Sequence, residues 1–135
     1  MKIKSIVTSG KRKSSKATAT IAEGRGRIVI NKAPYTVLPE LRRMYIEEPI
    51  NIAREILGDI NFDVNVTARG GGKESQTEAA RLSIARAIVK FSKSEALKRA
   101  YLSYDKALLI ADVRRKEAYK PGDSKARSKR QKSYR

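Results

Sequence analysis

Nine residues near the middle of the chain restrict its fold more than any others. Ile60, Phe62, Val64, Val66 and Ala68 alternate with Asn61, Asp63, Asn65 and Thr67, the period-two pattern of a strand with one face on a core and the other in water. Gly70, Gly71 and Gly72 follow at once, and then comes a helical stretch from about Lys73 to Phe91. At about 100° per residue, Ala80, Ile84, Ala87, Ile88 and Phe91 fall on one arc, while Leu82, Ala85 and Val89 form a second row. Two apolar rows predict a helix packed on a sheet and also against another helix. Ser94 to Ser103 supplies that neighbour, with Leu97, Ala100 and Tyr101 as its contacts. Ser75 and Glu78 have the spacing of a capping box for the long helix, although Glu74 also lies within reach of its first amide groups.

The residues upstream are read with less periodicity to guide them. Ile3 to Thr8 reads as a short strand, and the basic run from Gly10 to Lys16 as a loop leading from it. Ala17 to Glu23 and Arg27 to Asn31 are rich in β-branched residues and flank Gly24 and Gly26, which predicts a hairpin with a glycine-bearing turn. Pro39 to Gly58 is helical in pattern but holds Pro49, which lacks an amide hydrogen and disfavours helix in the residue before it. The expectation is therefore a short helix ending near Glu47 and a second one with Pro49 in its first turn and Gly58 just past its end. In order, these elements predict an α+β fold, a two-layer sandwich with a four-stranded sheet and helices on one face. No internal repeat is visible.

Charge divides the 135 residues into unequal parts. Lys2, Lys4, Lys11, Arg12, Lys13 and Lys16 meet no acid before residue 17, and residues 113–135 hold ten basic side chains against Glu117 and Asp123. Most of the formal net charge of +17 thus lies at the two ends, around a nearly neutral middle. Residues 113–135 offer one Val, two Ala and two Tyr as their only apolar members. They cannot bury enough to offset an ordering cost of roughly 1–2 kcal/mol per residue, so the expectation is a globular domain over 1–112 and an extended basic tail that orders only on a partner. A charge excess of this size calls for a polyanion.

The absent residue types exclude much chemistry. With no His there is no imidazole base or His-ligated metal, and with no Cys there is no disulfide, zinc knuckle or iron–sulfur cluster. No cofactor, metal or small-molecule substrate is expected. The opening MKIKSIVTSG lacks the apolar stretch of a signal peptide, and the longest apolar run is the five residues Ala107 to Ala111, so neither export nor a membrane span is expected.

Motifs sharpen the polyanion reading. Gly10-Lys11 lacks the rest of a phosphate loop, because Ser5 and Arg12 stand where a Gly and a Ser or Thr are needed. Gly24-Arg25-Gly26 reads as a turn. Gly70, Gly71 and Gly72, next to Lys73, Gln76 and Arg81, are compatible with two roles: close approach of a phosphate backbone to the helix N-terminus, or only a sharp strand-to-helix turn. In the tail, Arg and Lys are interleaved with Ser124, Ala126 and Ser128, which allow close approach to phosphates. Gln131 and Ser133 can donate to phosphates or base edges, and Tyr119 and Tyr134 can stack on bases. Arg135 ends the sequence with a guanidinium suited to a two-donor grip on phosphate.

Three stretches together resemble a known family. GGGKESQTEAARLSIARAIVKF at 70–91 closely resembles the signature of the small-subunit ribosomal protein nine family, TSGKRKSSKATA resembles its first loop, and the closing residues from Tyr104, ending QKSYR, resemble its archaeal and eukaryotic branch. The resemblance implies a fold like the second domain of ribosomal protein five, with a left-handed β-α-β crossover that runs against the general right-handed preference. It also implies a cytoplasmic place in the head of the small ribosomal subunit, among neighbouring head proteins and bound to small-subunit rRNA. Lys11, Arg12, Lys13 and Lys16 become rRNA anchors, together with Arg114, Arg115, Lys116, Lys120, Lys125, Arg127, Lys129 and Arg130. By position, Arg135 becomes the contact to peptidyl-site tRNA, supported by Lys132, Ser133 and Tyr134.

The function expected is therefore a structural, tRNA-positioning ribosomal protein without catalytic activity. The alternative is a basic protein subunit of a catalytic RNA, like that of ribonuclease P, which would concentrate its charge on the folded domain. A phosphoryl-transfer enzyme of the related small-molecule kinase superfamily is disfavoured by the missing phosphate loop and the short chain.

Overall fold

The computed structural model describes residues 5–110. Strands β1 (Ile6–Arg12), β2 (Ser15–Glu23), β3 (Ile28–Ile30) and β4 (Ala33–Pro34) precede helix α1 (Glu40–Leu57); strand β5 (Phe62–Arg69) and helices α2 (Lys73–Ser92) and α3 (Glu95–Tyr104) follow. The architecture is α+β, and the five strands lie in the order β1-β2-β5-β3-β4. The extra strand beyond the four expected is β4, two residues long. It is folded back on β3 by Asn31 and Lys32, both in the left-handed region at φ 50° and 67°, as a two-residue hairpin turn requires.

Two expected connections are corrected. The basic run Gly10 to Lys16 is not a loop: β1 and β2 pair antiparallel from Ile6↔Ile21 to Arg12↔Ser15, and only Lys13 and Ser14 turn the chain. Nor do β2 and β3 form a hairpin, because β5 lies between them, antiparallel to β2 and parallel to β3. Asp63 explains the second result. Its Oδ1 accepts the backbone N–H groups of Arg25, Gly26 and Arg27 at 3.0, 3.1 and 2.8 Å, so the glycine turn wraps around the start of β5. β3 then runs alongside β5, and the chain returns to β5 through α1 as a β-α-β crossover.

The third correction concerns Pro49, which sits inside a single continuous α1 rather than in the first turn of a second helix. An interior proline costs a helix roughly 3 kcal/mol. Burial of Ile46 and Ile50 on either side of it, at about 1.5–3 kcal/mol each, outweighs that cost. The buried hydroxyl of Tyr101 in α3 also donates to the Pro49 carbonyl at 2.6 Å.

The core forms on one face of the sheet. Ser15, Ala17, Ala19 and Ile21 of β2 and Phe62, Val64, Val66 and Ala68 of β5 are buried, and the residues between them point the other way. Helix α2 crosses this face with both expected rows inward, and every residue from Ala79 to Ala85 is buried. Strand β1 reaches it closely through Gly10, where a Cβ would come within 2.4 Å of the Ala79 carbonyl oxygen. Helix α3 packs chiefly on α1, so the main helical neighbour of α2 is α1 and not the Ser94 to Ser103 segment expected from sequence. Its start is capped by Ser94, whose Oγ accepts the Leu97 N–H at 3.2 Å. The capping box expected for α2 is absent: Gly72 is its N-cap without a side-chain bond, and Ser75 lies inside the helix.

Candidate nucleic-acid interface

The uncovered face of the sheet is polar, and its charge is collected at one end. Pairing places Lys11 opposite Lys16, and Lys16 opposite Arg69, so the three form one row across β1, β2 and β5. All three are exposed. The next row on this face is Ser9, Thr18 and Thr67, and the one after it includes Thr20 and Asn65. Like charges directly opposite one another destabilise a sheet, and these three make no ion pair among the described residues. Such a row is chemically able to meet phosphate oxygens, and the hydroxyls beside it can donate to phosphate or ribose.

The glycine triplet lies against this row. Gly70 and Gly71 have φ of 77° and 62°, and added Cβ atoms would meet the Ser14 carbonyl oxygen at 2.7 Å and Ser15 Oγ at 2.2 Å. Ser15 Oγ donates to the Gly70 carbonyl at 2.8 Å, and Gln76 Nε2 donates to the same oxygen at 3.1 Å. Close approach at Gly70 and Gly71 is thus made by the protein's own β1–β2 turn. Gly72 alone keeps open space beside its Cα, at the N-cap of α2. This docking brings Lys13, exposed at the tip of the turn, near the start of α2, where Lys73 is exposed. Lys73, Gln76 and Arg42 line a neighbouring cleft of about 320 Å³.

Of the cations named from sequence, Arg12 is placed differently. It is turned to the covered side and pairs with Glu78 of α2. Arg114 to Arg130 and Lys132 to Arg135 lie outside the described residues. Arg69 escaped the sequence reading, yet extending the period-two pattern one residue past Ala68 puts it on the water face beside Lys16. Two further arginines are internal fasteners. Arg81, almost buried, pairs with Glu48 and with Asp105 at 3.6 Å, and its guanidinium lies 5.7 Å from the Tyr45 ring centroid. Arg86 donates to the Leu109 and Ser9 carbonyls at 2.9 and 3.0 Å, which ties the last described turn to β1. At the opposite end of the open face, the N–H group of Arg27, with those of Arg25 and Gly26, holds the Asp63 carboxyl below its ordinary range.

Among the described residues no group of acids could hold a metal ion, and no helix is long and apolar enough to cross a membrane. Comparison with known proteins then bears on the whole chain. Residues 10–135 match the family model described as ribosomal protein S9/S16. The chain belongs to that family. Its members are structural constituents of the ribosome and not enzymes. A relative from Methanococcus vannielii, named small ribosomal subunit protein uS9, is 46% identical over 136 residues, covering 98% of this chain and all of the relative. Two from Methanococcus maripaludis strains with the same name are 45% and 44% identical over the same span. The family match lends no support to the ribonuclease P alternative.

Proposed function

We propose that this protein is built into the head of the small subunit of the cytoplasmic ribosome, where it binds rRNA through two surfaces and reaches peptidyl-site tRNA with a third. The first rRNA surface is the row of Lys11, Lys16 and Arg69 with Lys13 and Lys73 beside it; the second is the basic stretch from Arg114 to Arg130. Arg135, supported by Lys132, Ser133 and Tyr134, is the tRNA contact. The left-handed crossover implied by the resemblance belongs to the same reading. The observation that carries the rRNA part is the row itself: three exposed cations in register across three strands, without an ion-pair partner among the described residues. The shared name of the relatives supports the place in the small subunit.

The mechanism is counterion release. Each phosphate neutralised by Lys or Arg adds sequence-independent affinity and a log–log salt slope of about −0.7 to −0.9. Hydroxyls on the open face add contacts of the kind that distinguish RNA from DNA. The fold sets where the tail begins, through Arg86 and the buried Leu108.

Sedimentation of the full chain through a high-salt sucrose gradient tests the placement. Co-migration with the small subunit is expected, and a free low-mass peak overturns it. Removing Ser133 to Arg135 is expected to weaken peptidyl-site tRNA holding while subunit assembly stays intact. Unchanged tRNA occupancy across salt concentrations would remove the tail's role.

A further inference from the structure

Large apolar side chains gather in water at one place on the helical layer. Leu41, Met44 and Tyr45 of α1 are 74%, 52% and 47% exposed, and Val37, just before the helix, is 68% exposed. Spacing at i, i+3 and i+4 puts the three helical residues on one face, away from the Ile46, Ile50 and Ala53 face that α1 gives to the core. Contiguous exposed apolar side chains on a folded domain mark an interaction site.

The charge on this helix is opposite in sign to that of the whole chain. In a chain of net charge +17, α1 carries four carboxylates against three guanidiniums. A cleft of about 260 Å³ runs between α1 and the start of α2, with Leu41, Arg42 and Tyr45 on one side and Glu74, Thr77 and Glu78 on the other, Glu78 being already paired with Arg12. That is the size of a side-chain subsite; small-molecule pockets run from roughly 300 Å³ upward. Glu40 and Glu74 make no ion pair among the described residues. An RNA backbone laid here would meet two unanswered carboxylates, Glu40 and Glu74, against the one guanidinium of Arg42, whereas a basic polypeptide would find both its charges and an apolar anchor satisfied.

We propose that this face of α1 docks a basic segment of another protein, which seats an apolar side chain between Leu41 and Tyr45 and sets Lys or Arg against Glu40 and Glu74. The proposal rests on the ribosomal reading only in taking that segment from a neighbour in the assembled particle. It makes the domain two-sided, with RNA on the open sheet face and protein on the helical layer.

The test places a photoreactive benzoylphenylalanine at position 41 of the full chain, irradiates purified small subunits, and sequences the adducts by mass spectrometry. The same probe at position 16 reports on the RNA face. An adduct from position 41 to another protein is expected, within a segment rich in Lys and Arg. Adducts carrying nucleotides, the chain's own tail or a second copy of the chain overturn the proposal, as does no adduct while position 16 links to RNA. Failure of the ribosomal reading is separately visible, because the chain is then missing from the small-subunit peak before irradiation; the irradiation is read on whatever particle carries it. As a second measure, the double variant Leu41→Glu/Met44→Glu is expected to lower retention in salt-washed subunits several-fold with an unchanged melting temperature of the free chain. Undiminished retention overturns the proposal.

Discussion

Lys16 and Arg12 stand on adjacent strands of one hairpin, carry the same charge, and do opposite work. Lys16 faces water in a row with Lys11 and Arg69, where no carboxylate among the described residues answers its charge. Arg12 faces the helices and is answered by Glu78, much as Arg81 is answered by Glu48 and Asp105. The number of cations on this fold therefore overstates how many are left unanswered on its surface. On the covered side, guanidiniums fasten one element to another; on the open side, these cations have no carboxylate partner among the described residues. Side-chain direction along a strand, alternating with each residue, makes the division.

Removing one cation from the covered side and two from the open side puts this division to the test. Arg81→Ala leaves Glu48 without its partner beside the core, and loss of a buried ion-pair member costs about 3 kcal/mol. Denaturant unfolding is expected to show a loss of that order, and a change under about 1 kcal/mol, the range of exposed pairs, would deny Arg81 its fastening role. Lys16→Ala with Arg69→Ala is expected to leave stability within about 0.5 kcal/mol. Its salt dependence of rRNA-fragment binding is expected to flatten by about 0.7–0.9 in slope for each residue removed. An unaltered slope would take the row out of the interface.

The smallest expected effect lies at the far end of the open face. Asp63 has its carboxyl lowered by the Arg27, Arg25 and Gly26 N–H groups, so its contribution to stability is present above the ordinary carboxylate value of 3.8 and is lost as pH falls through the lower, folded value. Acid unfolding of Asp63→Asn compared with the parent is expected to show a shallower pH dependence in that window below 3.8, and curves that superimpose would mean the turn does not depend on the charge.

Elements with a strong local period were legible. The alternation from Ile60 to Ala68 and the paired rows from Ala80 to Phe91 correspond closely to β5 and α2. The stretches that misled were those whose conformation is decided by distant partners. Gly10 to Lys16 has too few β-branched residues to read as strand, yet it forms the turn end of a hairpin because Gly10 lets β1 settle on Ala79 and Ser83. Pro49 reads as a helix boundary, yet the burial of its neighbours and the Tyr101 hydroxyl keep it inside one helix. The site divides the same way. The basic hairpin and the glycine triplet were visible as motifs, but their docking on each other, and Arg69 as a member of the row, came from strand register.

The half-buried strand, the long helix, the concentration of charge at the two ends, and the resemblance to a ribosomal family through motifs far apart in the chain could all be read before any fold was known. These are local or additive properties, legible residue by residue. Tertiary packing settled the rest: that β5 separates β2 from β3, that Gly70 and Gly71 receive the protein's own turn, and which cations are left facing water. Each of those outcomes depends on a partner tens of residues away. The energies that choose it, an Arg81–Glu48 ion pair or three amide hydrogen bonds to one Asp63 oxygen, exist only once the chain has closed on itself.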